Sequence, residues 1–482
     1  MTSTIKTDLI TAKTDDGNVT IQKNGTGRIV IDGEVQTTTS GTSNLVLGVN
    51  AGDSIESGGN YNVAIGDEAG TALTTSDNNV LIGYAAGDAI TTSPSNVCVG
   101  TGAGGAISTG SGENVCVGNN AAALMTTGQQ NIIIGDNAAA GAVVTGSSNV
   151  VVGDNAGYDL TSGSTNTAIG GSTLANTTTA SNNTALGAAA MAANTTGASN
   201  VAVGYNALDA NTTASNNTAV GYAALGASET TGQHTAMGHQ ALLVCTTGTN
   251  NTAFGSQAGA ATSSGASNTF VGAYAGDANT TASNNTFVGT NAGGANETGA
   301  SNVCIGHTAG DGITSGSYNI CIGQNADASA VDGANQIIIG DLNQTGKGNS
   351  TGFIAPSTGG VYQGNNSSSW STTSDRRLKK NIEDNTIGLD AIKQIRIRNF
   401  EYRKPDEVDP ELVPKDAIKK EGVQVGIIAQ EIAEILPDVV KQESTGVYSV
   451  DSDHLTWYLI NAVKDLSAEI EELKQWKKEN TE

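Results

Sequence analysis

The sequence predicts a mainly β protein: a parallel β-solenoid of about 18 coils, followed by a small α/β domain that ends in a coiled-coil helix. Three observations carry this. A glycine that closes a short apolar run recurs through most of the chain at a near-constant interval. The charge pattern changes abruptly near residue 374. The last stretch places apolar residues at alternating spacings of four and three.

The repeat comes first. The corner glycines run from Gly48, Gly66 and Gly83 to Gly306, Gly323 and Gly340, 18 in all; fourteen intervals are 17 residues long and three are 18. Asn stands four residues before the Gly in 16 of the 18 repeats, with His234 and Gln336 as the exceptions. Ala stands three residues after it in 16, with Thr173 and Asn343 as the exceptions. The three residues before the Gly, such as Val201-Ala202-Val203, are β-branched or small apolar and form a short strand. Gly and Asn suit the corners, where positive φ or side-chain capping is needed. One strand and its return fill one unit, so stacked coils give a rod of roughly 85 Å at the strand spacing.

Alternation along the strand makes a sharper statement. The residue just before the Gly (Ile65, Val99, Ile134, Val220, Ile305) is always a larger apolar one and is expected to point into the coil with the residue two before it. The middle residue (Ala64, Cys98, Ala219, Phe287) is then expected to point outward, and it too is never charged. A strand apolar on both faces is buried on both faces. A single coil has one inside, so an obligate homo-oligomer is expected along this row; periodicity alone does not set the number of chains.

The tail is different. No Lys or Arg lies between Arg28 and Lys347, whereas residues 374–482 hold 17 of the 22 basic and 23 of the 46 acidic residues. The net charge of −24 argues against a sequence-independent grip on nucleic acid. No apolar run approaches the ~18 residues of a membrane helix, and the start has no apolar stretch of signal-peptide type. Assembly in the cytoplasm, without membrane insertion, is expected. Residues 386–397, with Ile387, Leu389, Ile392 and Ile395, read as a helix, as do residues 426–436, stopping before Pro437. A long helix is expected from about 454, with Leu459, Val463, Leu466, Ile470 and Leu473 forming a coiled-coil seam.

The unit NTAVGYAAL resembles the head repeats of YadA-like trimeric autotransporter adhesins, over about residues 41–345. That resemblance implies a trimer, so the expected rod is a trimeric parallel β-solenoid, or β-roll. Its repeats are longer than is usual in those adhesins, and neither a signal peptide nor a C-terminal membrane barrel is expected from this sequence. The tail carries SDRRLKKNI at 374–382, GIIAQEI at 426–432 followed by LPDVV, and a closing VYSVDSDHLTWYLINAVKDLSAEIEELK. It resembles the C-terminal intramolecular chaperone domain first described on phage endosialidases, with Ile427 where that family often has Phe. The chaperone motif falls on Arg376, Arg377, Gly426, Ala429, Gln430 and Glu431.

What that resemblance implies is a domain that registers three chains and then cuts itself off. Ser374 matches the family's cleavage serine, the cut falls between Ser374 and Asp375, and Lys379 matches the lysine of its Ser–Lys dyad. A serine hydroxyl needs a nearby base. Lysine serves only when burial or neighbouring positive charge lowers its pKa, and Arg376, Arg377 and Lys380 supply such charge. A serine does not easily attack its own carbonyl. Attack on the Thr373 carbonyl is sterically easier but breaks a different bond. The first residue of the released fragment, Asp375 or Ser374, distinguishes the two.

Other features read more plainly. The five cysteines lack zinc-site spacing. Cys98, Cys116, Cys304 and Cys321 occupy the middle strand position and read as small apolar residues. Adjacent coils bring Cys98 near Cys116 and Cys304 near Cys321, but cytoplasmic assembly argues against disulfides. His234 and His239 read as turn residues. Thr recurs eight residues after the Gly (Thr74, Thr91, Thr161, Thr195, Thr280 among others), which reads as a polar β face. The rod has no Trp: Trp370, Trp457 and Trp476 all lie at or beyond its end, which leaves little for sugar stacking. The sequence calls for no metal and no cofactor.

The expected organisation is a β-rich attachment region at 1–40, the rod at 41–345, a Gly/Ser/Thr/Asn-rich connector at 346–373 and the chaperone domain at 374–482. The expected function is that of a structural virion protein, a trimeric phage tail fibre or spike for host attachment, assembled in the host cytoplasm. Its expected partners are its own copies, other virion proteins at the N-terminus and a host receptor such as a glycan. Enzymatic activity is at most a single autoproteolytic turnover. The alternative is a bacterial or prophage surface adhesin that keeps its chaperone; a glycan-degrading spike lacks a recognisable pair of catalytic carboxylates.

Overall fold

The computed structural model describes residues 39–355 apart from 111, then 361–363, 370–372, 375–404, 406–409, 420–442 and 446–481. The expected attachment region at 1–40 lies almost wholly outside them. The chain divides into two compact units, residues 1–373 and 374–482.

The first unit is the solenoid. Eighteen short strands, from β1 (Leu45–Leu47) to β18 (Ile337–Leu342), stack in parallel, each in register with the next, as in Ala202 opposite Ala219 and Val203 opposite Val220. The stretch expected to be a connector extends this sheet. β19 (Gly352–Ala355) pairs parallel to β18, and β20 (Val361–Gln363) and β21 (Trp370–Thr372) add antiparallel to it. Turn-rich composition hid these strands, because antiparallel pairing needs only a few residues per strand and a tight return.

The corner glycine is required twice over. From Gly48 to Gly323 each corner glycine has a φ of +125 to +143°. A Cβ on Gly221 would fall 2.4 Å from the Gly238 carbonyl oxygen. Coils thus meet backbone to backbone at this corner, and any side chain would hold them apart.

The inward direction of the strand is the reverse of the sequence expectation. The middle residue faces the interior: Ala64, Leu81, Cys98, Ala219 and Phe270 are fully buried. The flanking residues face outward and remain partly exposed, Leu47 at 48%, Leu186 at 46% and Phe254 at 40%. The reason is room. The interior already holds the Ala three residues after the corner, the residue four after it and the residue seven after it, as Ala86, Gly87 and Ile90 do in one coil. One strand residue per coil fits there; two would overfill it. The apolar row without cover in one chain is therefore the outer one, with the bulkier side chains.

Volume is exchanged between two interior positions. Where the middle residue is Leu81, Phe270 or Phe287, the position four after the corner is Gly in that coil and in the one before. A Cβ on Gly276 would lie 2.4 Å from Phe270 and 3.0 Å from Phe287, and a Cβ on Gly70 or Gly87 would lie 2.7 Å from Leu81. Where the middle residue is Ala (Ala168, Ala185, Ala202, Ala219, Ala236), the second position carries Leu174, Met191, Leu208, Leu225 or Leu242, all buried. These five adopt a φ of +50 to +53°, which costs about 1 kcal/mol each for a residue with a Cβ and is offset by filling the space.

The conserved spacing of Asn has an equally direct cause. Each Asn side chain is buried and forms a ladder. Its oxygen accepts the backbone N–H of the Asn in the next coil, 3.0 Å from Asn62 to Asn79, and its amide donates to a carbonyl 14 residues on, 2.8 Å from Asn166 to Ala180. The threonines eight residues after the corner do similar work outside the strands. Their hydroxyls donate to the next coil's carbonyl, as Thr195 does to Thr212 at 3.0 Å, so they are not a free polar β face. A second interior ladder, Thr177–Asn194–Asn211 and Thr262–Asn279–Asn296, ends each time on an Asn. Among the described residues, the buried side-chain polar atoms without a partner are the oxygens of Asn211 and Asn296. The coils that follow offer Ser228, whose hydroxyl donates to Thr231, and Ile313, which has nothing to donate.

His234 interrupts the main ladder. It is a buried core residue and not a turn residue: its backbone N–H donates to Asn217 at 3.0 Å, and its Nδ1 accepts from the Asn251 N–H at 3.3 Å. Its Nε2 faces the Thr231 hydroxyl at 3.4 Å and the Cys245 sulfur at 3.7 Å, and burial lowers its pKa. His239, by contrast, is exposed and stacks on Tyr222.

The second unit is built around a small core of Ile432, Leu436, Val439 and Tyr458, joined by half-buried Ile387, Ile392, Ile395 and Leu455. β22 (Arg398–Phe400) pairs antiparallel with β23 (Gln424–Gly426), and β24 (Val440–Gln442) with β25 (Tyr448–Val450). The helix expected at 386–397 is one turn, α1 (Leu389–Ile392). Ile387 and Ile395 reach the core from non-helical flanks, which reproduces helical spacing without a helix. The helix expected at 426–436 is α2 (Ala429–Ala433), because Gly426 ends β23 and a 3-10 turn at Pro437–Val439 follows. The long terminal helix is α3 (Ser452–Asn480), capped by Asp451, whose carboxylate accepts the Asp453 N–H at 2.9 Å.

Two outcomes follow for the solenoid. Gly276→Leu should lower the thermal midpoint sharply, by overpacking worth about 1–3 kcal/mol or more; adding Phe270→Ala and Phe287→Ala should restore much of the loss in circular-dichroism melts. For His234, the unfolded chain takes up a proton near pH 6.5 and the folded rod only below that. Its contribution is therefore full above pH 6.5 and is lost as pH falls through the lowered folded value. The difference in midpoint between pH 7.5 and pH 5 should shrink in His234→Asn, which restores the ladder.

Candidate functional site

The candidate residues fall into two groups in the second unit, a turn after residue 374 and the segment around α2. Ser374 lies outside the described residues. Asp375 begins the turn: its carboxylate accepts the backbone N–H of Arg377 at 2.8 Å and so caps a 3-10 turn over Arg376–Leu378. The Arg377 guanidinium folds back onto the same carboxylate, with Nη2 at 2.6 Å and Nε at 3.1 Å. That pairing holds the Asp375 carboxyl below its usual range and raises Arg377. The sequence Asp-x-Arg fixes this locally, since a carboxylate two residues before an arginine can cap the turn and bind the fork at once.

Lys379 closes the turn. Its N–H donates to the Arg376 carbonyl at 3.1 Å, and its side chain is exposed, as are those of Arg376, Arg377 and Lys380. Of the three cations expected to surround Lys379, Arg377 is neutralised by Asp375. Residues 375–379 are thus held as a short, solvent-facing, hydrogen-bonded turn.

The second group centres on Glu431. Gly426 ends β23, where a Cβ would lie 3.3 Å from the Phe400 ring, so the small residue lets the strand pack on that aromatic. Ala429 opens α2, and Gln430 is exposed on it. Glu431 receives a two-pronged ion pair from Arg398, with Nη2 at 2.7 Å and Nε at 3.0 Å. The pair ties α2 to β22 and lowers the Glu431 carboxyl. Beside it is a cavity of ≈ 410 Å³, lined chiefly by Ile395, Ile427, Ile428, Ile432 and Ile435 with Glu431 at one side.

Sequence reasoning missed four supports of this unit. Arg398, 33 residues from Glu431, has no spacing signal. Asp465 accepts the Leu389 N–H at 2.8 Å and caps α1, and Asn461 donates to the Asn385 carbonyl at 2.9 Å and the Ile387 carbonyl at 3.1 Å. Tyr458 donates its hydroxyl to Asp438, which His454 also faces at 3.7 Å. Polar residues one turn apart on α3, Asn461 and Asp465, between apolar ones, were the available hint.

The faces of α3 divide cleanly. Tyr458 and Ala462 are buried, with Asn461 and Asp465 on the same side. Leu459, Val463, Leu466, Ile470 and Leu473 are 43–64% exposed. The seam is therefore not what packs α3 onto its own unit. Among the described residues no helix is long and apolar enough to cross a membrane, and no three His, Cys, Asp or Glu converge on a metal site.

Residues 374–441 match the family described as chaperone of endosialidase. The match takes in Asp375, Lys379, Arg398, Gly426 and Glu431, so both groups of candidate residues fall within it. The chain is thus a parallel β-solenoid followed by a segment that matches the endosialidase-chaperone family.

Glu431→Gln should leave α2 in place and remove the Arg398 ion pair. At a pair this exposed, with side chains 42% and 37% accessible, solvent screening leaves only a small expected loss of stability. Urea unfolding followed by tryptophan fluorescence, with Trp457 and Trp476 in this unit, measures it.

Proposed function

We propose that this chain is a structural virion protein, a trimeric phage tail fibre or spike for host attachment, whose C-terminal unit directs trimer folding and then releases itself by one autoproteolytic cut. The observation that carries this reading is the chaperone match beginning at residue 374, directly after a solenoid. Two features support the trimer. The outer row of the solenoid and the seam of α3 are both apolar and exposed in a single chain. Copies of the same chain would cover both, with a/d packing along α3.

In the proposed cut, the Ser374 hydroxyl attacks a backbone carbonyl while Lys379 takes its proton. The amine leaves with a proton, and water resolves the ester, so that the net change is one peptide bond hydrolysed. Arg377, held on Asp375, would fix the geometry of the turn and not the basicity of Lys379. A chaperone that stays attached, as in a surface adhesin, is the competing outcome.

Intact mass and N-terminal sequencing of the purified protein, beside Ser374→Ala and Lys379→Ala, test the reading. The expected result is a wild-type product ending near residue 374, with both variants full-length and all three proteins trimeric by light scattering. A released fragment beginning at Asp375 places the cut after Ser374; one beginning at Ser374 places it at the Thr373 carbonyl. A full-length, trimeric wild type removes the cleavage step.

A further inference from the structure

Four of the five cysteines stand as two stacked pairs inside the rod. Cys98 and Cys116 are register partners on neighbouring parallel strands, as are Cys304 and Cys321. All four are middle-strand residues, point to the interior and have no exposed surface. Partners in register on one face of a parallel sheet are about 4.8 Å apart. That lies inside the roughly 4.4–6.8 Å range between Cα atoms that a disulfide spans. The two thiols of each pair interact: hydrogen bonding to Cys98, together with burial, pushes Cys116 well up, and Cys321 does the same to Cys304. Cys245 is the exception. It sits seven residues after its corner, against His234, with no cysteine in the coils on either side.

We infer that each stacked pair is a dithiol that closes to a disulfide between adjacent coils, one bridge toward each end of the rod. The ends are where a solenoid opens most readily, because terminal coils lack a neighbour on one side. A bridge across coils 4 and 5, and another across 16 and 17, limits that opening to the few coils outside them. The oxidant is a small disulfide such as oxidised glutathione. One cysteine thiolate attacks it, forming a mixed disulfide and releasing one thiol. The partner thiolate then attacks the protein sulfur and releases the second thiol, so two protein thiols are oxidised and one external disulfide is reduced. Raised thiols react slowly in the closed rod, so closure takes place during folding or when end coils open. In a reducing compartment the pairs stay open; in an oxidising medium they lock.

The full chain tests this in two arms, one exposing the folded protein to oxidised glutathione and one refolding it in a glutathione redox buffer. Alkylation in denaturant and intact mass follow. The expected result is the loss of four hydrogens, a single alkylated thiol at Cys245, and linked peptides joining Cys98 to Cys116 and Cys304 to Cys321. The unfolding midpoint should rise by several degrees over the reduced protein. The fourfold variant Cys98→Ala, Cys116→Ala, Cys304→Ala, Cys321→Ala uses the residue native to many other coils at this position, so it should fold and show no response to oxidant. Five alkylated thiols in both arms, bridges involving Cys245, or bridges between chains would overturn the inference.

Discussion

Everything in the rod depends on how little fits inside one coil. Adjacent coils stack at the spacing of a parallel sheet, and their corners touch backbone to backbone, as Gly221 does on Gly238. That contact fixes the corner as glycine and sets the pitch. The interior left over admits one strand side chain, an alanine, one more residue of variable size and one at the far side. The exchange between Phe270 with Gly276 and Ala219 with Leu225 is the visible result of a constant interior volume. Polar satisfaction is solved along the rod and not within each coil, since the oxygen of each main-ladder Asn is met by a backbone N–H of the next coil.

The outer surface follows from the same limit. Because one strand residue turns inward, two turn outward, and they are mostly Val, Ile, Leu and Thr. A solenoid unit thus carries its larger apolar side chains on the outside, next to a corner that bears no side chain. α3 has a comparable division. Tyr458, Asn461, Ala462 and Asp465 bind it to its own unit with small or polar groups, and its apolar seam is left uncovered.

The period, the number of coils, the corner glycine and the terminal helix were legible in the sequence because each repeats or continues long enough to average out local exceptions. The direction of the strand was not. Three alternating residues give two inward or one, and only the volume contributed by residues such as Leu208 and Ile90 from outside the strand decides. The role of His234 was hidden for a related reason: at its ladder position it needs an acceptor in place of the Asn oxygen, and Nδ1 provides one, which a turn reading of two nearby histidines does not reveal. In the C-terminal unit the motifs were legible as a resemblance. Their supports, Arg398 and Asp465, act across 33 and 76 residues and leave no local trace. The strands β19 to β21 were masked by polar, glycine-rich composition.

The hydrogen bonds between coils point along the axis of the stack, and this gives the rod a mechanical character of its own. A pull along that axis loads the coil boundaries one after another, like links in a chain, so each boundary carries the whole force. Strength is then set by the poorest link and not by the number of coils. The ladder contacts from His234 to Asn251 and from Asn96 to Asn114 close at 3.3 Å, where Asn62 to Asn79 and Asn217 to His234 close at 3.0 Å. Lengthening such a rod by adding identical coils would extend its reach without lowering the force it bears, as long as no added coil is poorer than those.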